Sequence, residues 1–177
     1  MADWITAYNW MMDNEDTPSA CAKVPDAPPA GVAGPCYAIS GINSGAFPAQ
    51  FSAIAALAQS DREPAVRSFY RNHFWNTWIA QLKSDELCKR VFDFAVNAGP
   101  GTSARRLQKA VNSLGPDNAV PEDGGWGPAT VAAANSADPG ALVAAFKAQR
   151  LAHYQAIVDN HPAEARYLPA WAARAQK

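Results

Sequence analysis

Positive charge is not in excess in this sequence of 177 residues: fifteen Lys and Arg stand against sixteen Asp and Glu. A nucleic-acid binder needs a basic surplus or stripe to displace phosphate counterions, so the balance argues against that class. No apolar run approaches the roughly 20 residues that cross a bilayer, and no membrane insertion is expected. The opening, Met1-Ala-Asp-Trp-Ile-Thr, has neither the basic start nor the apolar core of a secretory signal. Cysteine is scarce, with three residues and no Cys-x-x-Cys pair, and no His-Glu-x-x-His word occurs. No metal site is expected, and no cofactor. His73, His153 and His161 are scattered, with no Ser or Cys in a triad-like pattern around them. What is present is ordinary: 49% apolar and 18% charged residues, enough for a real core in one domain or a domain with a lobe.

Nearly all of the periodicity is helical. Asp3 is placed to cap a helix whose Trp4, Ile5, Tyr8, Met11 and Met12 form one stripe. Phe51, Ile54 and Leu57 mark a short helix, and Ser60-Asp61 caps another through Val66, Phe69, Tyr70 and Phe74. Ser84 precedes a helix striped by Leu87, Cys88, Val91, Phe92 and Ala95, which Gly99-Pro100-Gly101 stops. Thr102 reads as the cap of the next, through Leu107 and Val111. Gly127-Pro128, Asp138-Pro139 and His161-Pro162 open three more, with proline in the first turn. The expected class is all-α, α+β at most.

Residues 17–36 hold Pro18, Pro25, Pro28, Pro29, Pro35, Gly31 and Gly34 and read as a long irregular loop. Such a stretch inside a compact domain is usually functional or disordered. A Cys21–Cys36 bridge would pin it, contributing ~3 kcal/mol on the chain-entropy model. Cys88 reads as a buried thiol packing as a small hydrophobe. Tyr37-Ala-Ile-Ser-Gly-Ile-Asn then gives the one β signal, a short strand or hairpin.

The first helix ends in Asp13-Asn14-Glu15-Asp16. Carboxylates at a helix C-terminus oppose the macrodipole, and local rules are often broken at functional sites. An acid at a helix end, a polar loop and then a short strand is a lysozyme-like layout. Glycoside hydrolysis needs a general acid, opposite a second carboxylate or a positioned water.

Longer words narrow the choice. Arg90-Val-Phe-Asp-Phe-Ala-Val-Asn-Ala-Gly-Pro-Gly, followed by Leu107-Gln108, resembles the central signature of glycoside hydrolase family 108, muramidases with a C-terminal peptidoglycan-binding region. Ala65-Val-Arg-Ser-Phe-Tyr-Arg-Asn-His-Phe-Trp, Asp123-Gly-Gly-Trp-Gly-Pro-Ala-Thr, Gln149-Arg-Leu-Ala-His-Tyr and Pro169-Ala-Trp-Ala-Ala-Arg are similar to its other words, in order. At the catalytic end the family's Glu-Gly-Gly-Tyr is matched by Glu15-Asp16-Thr17-Pro18, with the glutamate but neither glycine, and Tyr37-Ala-Ile-Ser40 is similar to its Tyr-Gly-Ile-Thr strand.

The resemblance implies a lysozyme-like helical domain with one short β-hairpin near the cleft. It divides the chain into a catalytic lobe at 1–83 and a helical lobe at 84–177. It implies a peptidoglycan hydrolase that cleaves between N-acetylmuramic acid and N-acetylglucosamine, with Glu15 as general acid and no metal or cofactor. A glycan-binding or virion-structural relative without turnover, and a lytic transglycosylase, are the alternatives. Asp26 is either a second carboxylate or a turn former between prolines. Tyr37 is an expected substrate contact. Ser40 either positions a water or makes an ordinary hydrogen bond, and Asn97 either binds an N-acetyl group or caps its own helix. Trp126, in a Gly-Gly-Trp-Gly loop, is the tryptophan best placed to stack on a sugar, whereas Trp4, Trp75 and Trp171 fit core patterns. Asp93 and Arg150 read as structural ion-pairing residues. The expected partner is the glycan strand, bound by a monomer that reaches the wall through a holin or dedicated export.

Overall fold

The computed structural model describes residues 3–15, 21–115, 117 and 119–177. It is mainly helical. In chain order come α1 (Trp4–Glu15), β1 (Lys23–Asp26), β2 (Cys36–Ile39), β3 (Ile42–Asn43), α2 (Pro48–Ala55) and α3 (Glu63–His73). After them come α4 (Asp85–Ala98), α5 (Pro100–Asn112), α6 (Pro128–Ser136), α7 (Pro139–Asn160) and α8 (Leu168–Gln176), with short 3-10 turns at Gln59–Asp61, Ile79–Gln81 and Pro162–Tyr167. The described residues form two compact units, one within 8–73 and one made of 3–7 with 74–177.

In the unit within 8–73 the three strands are antiparallel in the order β1-β2-β3. Ser40 and Gly41 join β2 to β3 with φ of 48° and 78°, the two left-handed positions of a tight type I′ hairpin. Lys23–Asp26 contradicts the all-loop reading of 17–36. Proline inside a run reads as a breaker, yet β1 is an edge strand, where a missing N–H is tolerated. Helix α2 buries Phe51 and Ile54, while Leu57 lies past its end and is exposed. The Ser60-Asp61 start is also corrected: those residues form the 3-10 turn, and α3 begins at Glu63.

The same register corrects the cysteine pairing. Lys23 faces Ile39 and Asp26 faces Cys36, so Cys21 and Cys36 sit at opposite ends of the β1–β2 ladder. At roughly 3.3 Å per residue the ends are too far apart for a disulfide, which needs Cα atoms within about 7 Å. Cys21, Cys36 and Cys88 are all buried free thiols. Alkylation of denatured, unreduced protein should therefore label three thiols by mass; one labelled thiol would restore the bridge.

In the other unit Asp3 accepts from the Thr6 amide at 2.9 Å and starts α1. Trp4 packs edge-on against Trp75 and Phe92 at 5.3 and 5.4 Å, while Ile5, assigned to the same stripe, is exposed. Ser84 caps α4 through the Leu87 amide and Asp138 caps α7 through the Ala141 amide. Thr102 caps nothing: α5 starts two residues earlier, at Pro100. Gly99 ends α4 and opens α5 at φ 89°, a conformation that favours glycine.

Helix α7 packs against α4, α5 and α8 and brings Arg150 to Asp93, both wholly buried, at 2.7 Å. Arg174 of α8 reaches the other oxygen of the same carboxylate at 2.7 Å. The two residues read as structural ion-pairing residues thus meet each other, in a triad of one Asp and two Arg.

Burial pushes the Cys88 thiol up to about 12 from an ordinary 9.0. Burial, then nearby Glu63, pushes the Tyr8 phenol up to about 12 from 10.0. Both groups keep their proton longer when folded, so their contribution to stability is fully present below about pH 9 and lost as pH rises toward 12. Melting temperature should fall over that window, and Tyr8→Phe should flatten its upper part. A flat profile would contradict both assignments.

Candidate active site

Tyr8, Met11 and Glu15 are spaced by three and four residues along α1, which sets their Cα atoms on one stripe. Tyr8 and Met11 are buried. The Glu15 backbone closes the helix; its side chain and Asp16 lie outside the described residues.

Tyr8 faces Tyr70 of α3 at 6.2 Å between ring centres and carries the Arg67 guanidinium 5.4 Å above its ring. Arg67 is paired with Glu63 one turn earlier. Tyr70 donates its O–H to the Ser40 carbonyl at 2.7 Å, and the Ser40 hydroxyl donates to Cys21 Sγ at 3.4 Å. Ser40 is only 2% exposed, so its side chain is part of the packing under the hairpin turn. Arg62 completes this wall. Its guanidinium donates to the carbonyls of Cys21 at 3.0 Å, Leu57 at 3.2 Å and Ala55 at 3.3 Å, tying the chain that enters β1 to the C-terminal end of α2.

Asp26 is exposed, and both of its oxygens are engaged. Oδ1 accepts from the Ala27 amide at 2.8 Å and Oδ2 from Asn43 Nδ2 at 2.7 Å. Asn43 also donates to the Ala27 carbonyl and accepts from the Gly45 and Ala46 amides. Asp26 therefore straps the end of β1 to the β3–α2 turn. Tyr37 is 36% exposed, with the Lys23 ammonium 4.3 Å over its ring and its backbone held by Ser44.

Asn97 and Trp126 belong to the other unit. Asn97 is exposed at the end of α4, and its Oδ1 accepts the Tyr154 O–H at 2.7 Å. Trp126 is half-buried, its indole N–H donating to the Pro100 carbonyl at 3.2 Å. Gln108 fixes that loop, a role that its place in the Leu107-Gln108 word does not by itself indicate. Its Nε2 reaches Asp123 Oδ1, the Gly125 carbonyl and Thr130 Oγ1, and its Oε1 accepts from the Gly124 amide. Arg105 holds the carbonyls of Glu122 and Asp123. A Cβ at Gly124 would lie 2.7 Å from the Gly101 carbonyl oxygen, which accounts for glycine there. The clue was the spacing of Leu107-Gln108 and Asp123-Gly124. Arg62 left no such trace, because its three acceptors are backbone carbonyls.

Residues 102–176 match the family described as "Predicted Peptidoglycan domain". Among solved structures, "Structure of Brucella abortus SagA" matches at 18% identity and a TM-score of 0.60, covering 98% of this chain and 93% of that one; the likeness is one of fold. No curated protein matches. The C-terminal part of the chain, residues 102–176, is thus similar to a peptidoglycan-related domain.

Proposed function

We propose that the chain is a peptidoglycan hydrolase of the muramidase kind, resembling glycoside hydrolase family 108, with Glu15 as general acid. One observation carries the reading. The chain combines a peptidoglycan-family segment at 102–176 with a separate unit in which an acidic residue closes a helix ahead of a three-stranded sheet.

Glu15 would protonate the glycosidic oxygen, and water would attack directly or after an oxocarbenium-like stage. Asp26 acts as a second carboxylate only by exchanging one of its two present hydrogen bonds for water or sugar. Tyr37 offers an aromatic ring to the glycan and Ser40 serves its own unit through the turn it holds; Asn97 and Trp126 offer an amide and an indole from the other unit. The protein works as a monomer on the wall, in the periplasm or outside the cell, after export or holin release.

The loss of both glycines of the family's Glu-Gly-Gly-Tyr word favours one second reading, a relative that binds glycan without cutting it. Incubation with purified sacculi, followed by mass analysis of released muropeptides, separates the readings. Reducing-end products are expected. Anhydro ends would mark a transglycosylase, and binding without release the non-enzyme.

A further inference from the structure

Where α5 and α6 end and α7 begins lies a half-open cavity of about 260 Å³. Its apolar walls are Val111, Leu114, Ala137 and Ala141, and its charged groups are Asp117 and Asp138. Among the described residues no Lys, Arg or His lines it. The volume lies just below the range of ordinary small-molecule pockets, which suits a side chain better than a run of sugar rings.

The charge on its described lining has one sign. The C-terminal ends of α5 and α6, with their carbonyl dipoles, border the cavity through Leu114 and Ala137. The opposing dipole is that of α7, and Asp138 already meets it by accepting the Ala141 amide at 2.8 Å with one oxygen. An anion would be repelled here, and a neutral sugar would make no use of the two carboxylates, which are exposed at the rim. A cation on a short aliphatic stem satisfies both the walls and the charge.

We propose that this cavity binds a primary alkylammonium group, the side-chain amine of the diamino acid in a peptidoglycan stem peptide. The choice of stem peptide rests on the peptidoglycan reading above; the preference for an aliphatic amine rests on the cavity. It gives the C-terminal unit a hold on the peptide rather than on the glycan.

Amide NMR titration of the full chain tests it, with the tripeptide L-Ala-γ-D-Glu-L-Lys, the same peptide acetylated on the lysine amine, and glucosamine. The free-amine peptide should shift the Val111, Ala137 and Ala141 amides. Acetylation should weaken binding by roughly two- to fivefold, as should Asp117→Asn or Asp138→Asn, the latter keeping a competent helix cap. Equal binding of the acetylated peptide, or shifts confined to other residues, would overturn the proposal. Glucosamine binding as tightly as the tripeptide would overturn the stem-peptide assignment and make an amino sugar the ligand. Release of muropeptides from sacculi is read separately, so failed lysis with intact peptide binding would remove the muramidase and leave the cavity assignment standing.

Discussion

Glu15→Gln should reduce the release of muropeptides from sacculi by roughly two orders of magnitude or more. Glutamine keeps the shape of the acid and removes the transferable proton. Folding should hardly change, because Glu15 closes α1 and a carboxylate at a helix C-terminus opposes the macrodipole. Equal lytic rates for the two proteins, at equal melting temperature, would refute the assignment. Asp26→Asn should do less. An asparagine there can still accept from the Ala27 amide, although its NH2 would confront that of Asn43 and loosen the strap. If Asp26→Asn instead abolishes activity with folding and glycan binding intact, Asp26 becomes the base or the nucleophile. A carboxylate spacing of roughly 6.5–9.5 Å would indicate inversion, and about 5–5.5 Å retention.

The largest loss of stability is expected from Asp93→Ala. One buried carboxylate answers Arg150, wholly buried, and Arg174, largely so. Burial already disfavours the charged form of Arg150 and lowers its pKa, with Asp93 opposing that shift. Its Nε and Nη1 have no hydrogen-bond partner among the described residues. Removing Asp93 strands the wholly buried Arg150 guanidinium in a low dielectric and takes a bond from Arg174, which costs about 3–5 kcal/mol. In a protein of this size that lowers the melting temperature on the order of 10 °C. Arg150→Met should cost less, since it removes a buried charge and leaves Asp93 its bond to Arg174. Thermal unfolding decides, and an Asp93→Ala protein melting like the wild type would show that the triad does not hold this unit.

Features set by adjacent residues were the legible ones. Asp3 as a cap, and Ser84 and Asp138 as helix starts, are legible because a cap bonds an amide two or three residues away. The β2–β3 hairpin was legible from its run of apolar residues around Ser40-Gly41. Strand β1 was not, since only its place at the edge of a sheet makes Pro25 acceptable. The Cys21–Cys36 pairing failed for the same reason: proximity in a proline-rich stretch says nothing about register, and the register separates them. Thr102 is a good capping residue by type, but Gly99-Pro100 starts the helix first. At the candidate site the acidic end of α1 was visible in the sequence. The wall of Tyr8, Tyr70, Ser40, Cys21 and Arg62 was not, because it joins residues as far apart as Tyr8 and Tyr70 across α1, the strands and α3.

The triad also bears on how the chain can be cut. Residues 102–176 are the segment that matches one family, yet Arg150 and Arg174 inside it answer to Asp93 outside it. Tyr154 gives its proton to Asn97, and the Ser103 hydroxyl donates to the Val91 carbonyl at 2.8 Å. Phe146 meets Phe94 edge to face. A peptide excised at 102 would keep two arginines without their carboxylate and an exposed apolar face where α4 had been. What evolution passes on as a module is here not a piece that can stand by itself, and an autonomous fragment would have to retain α4.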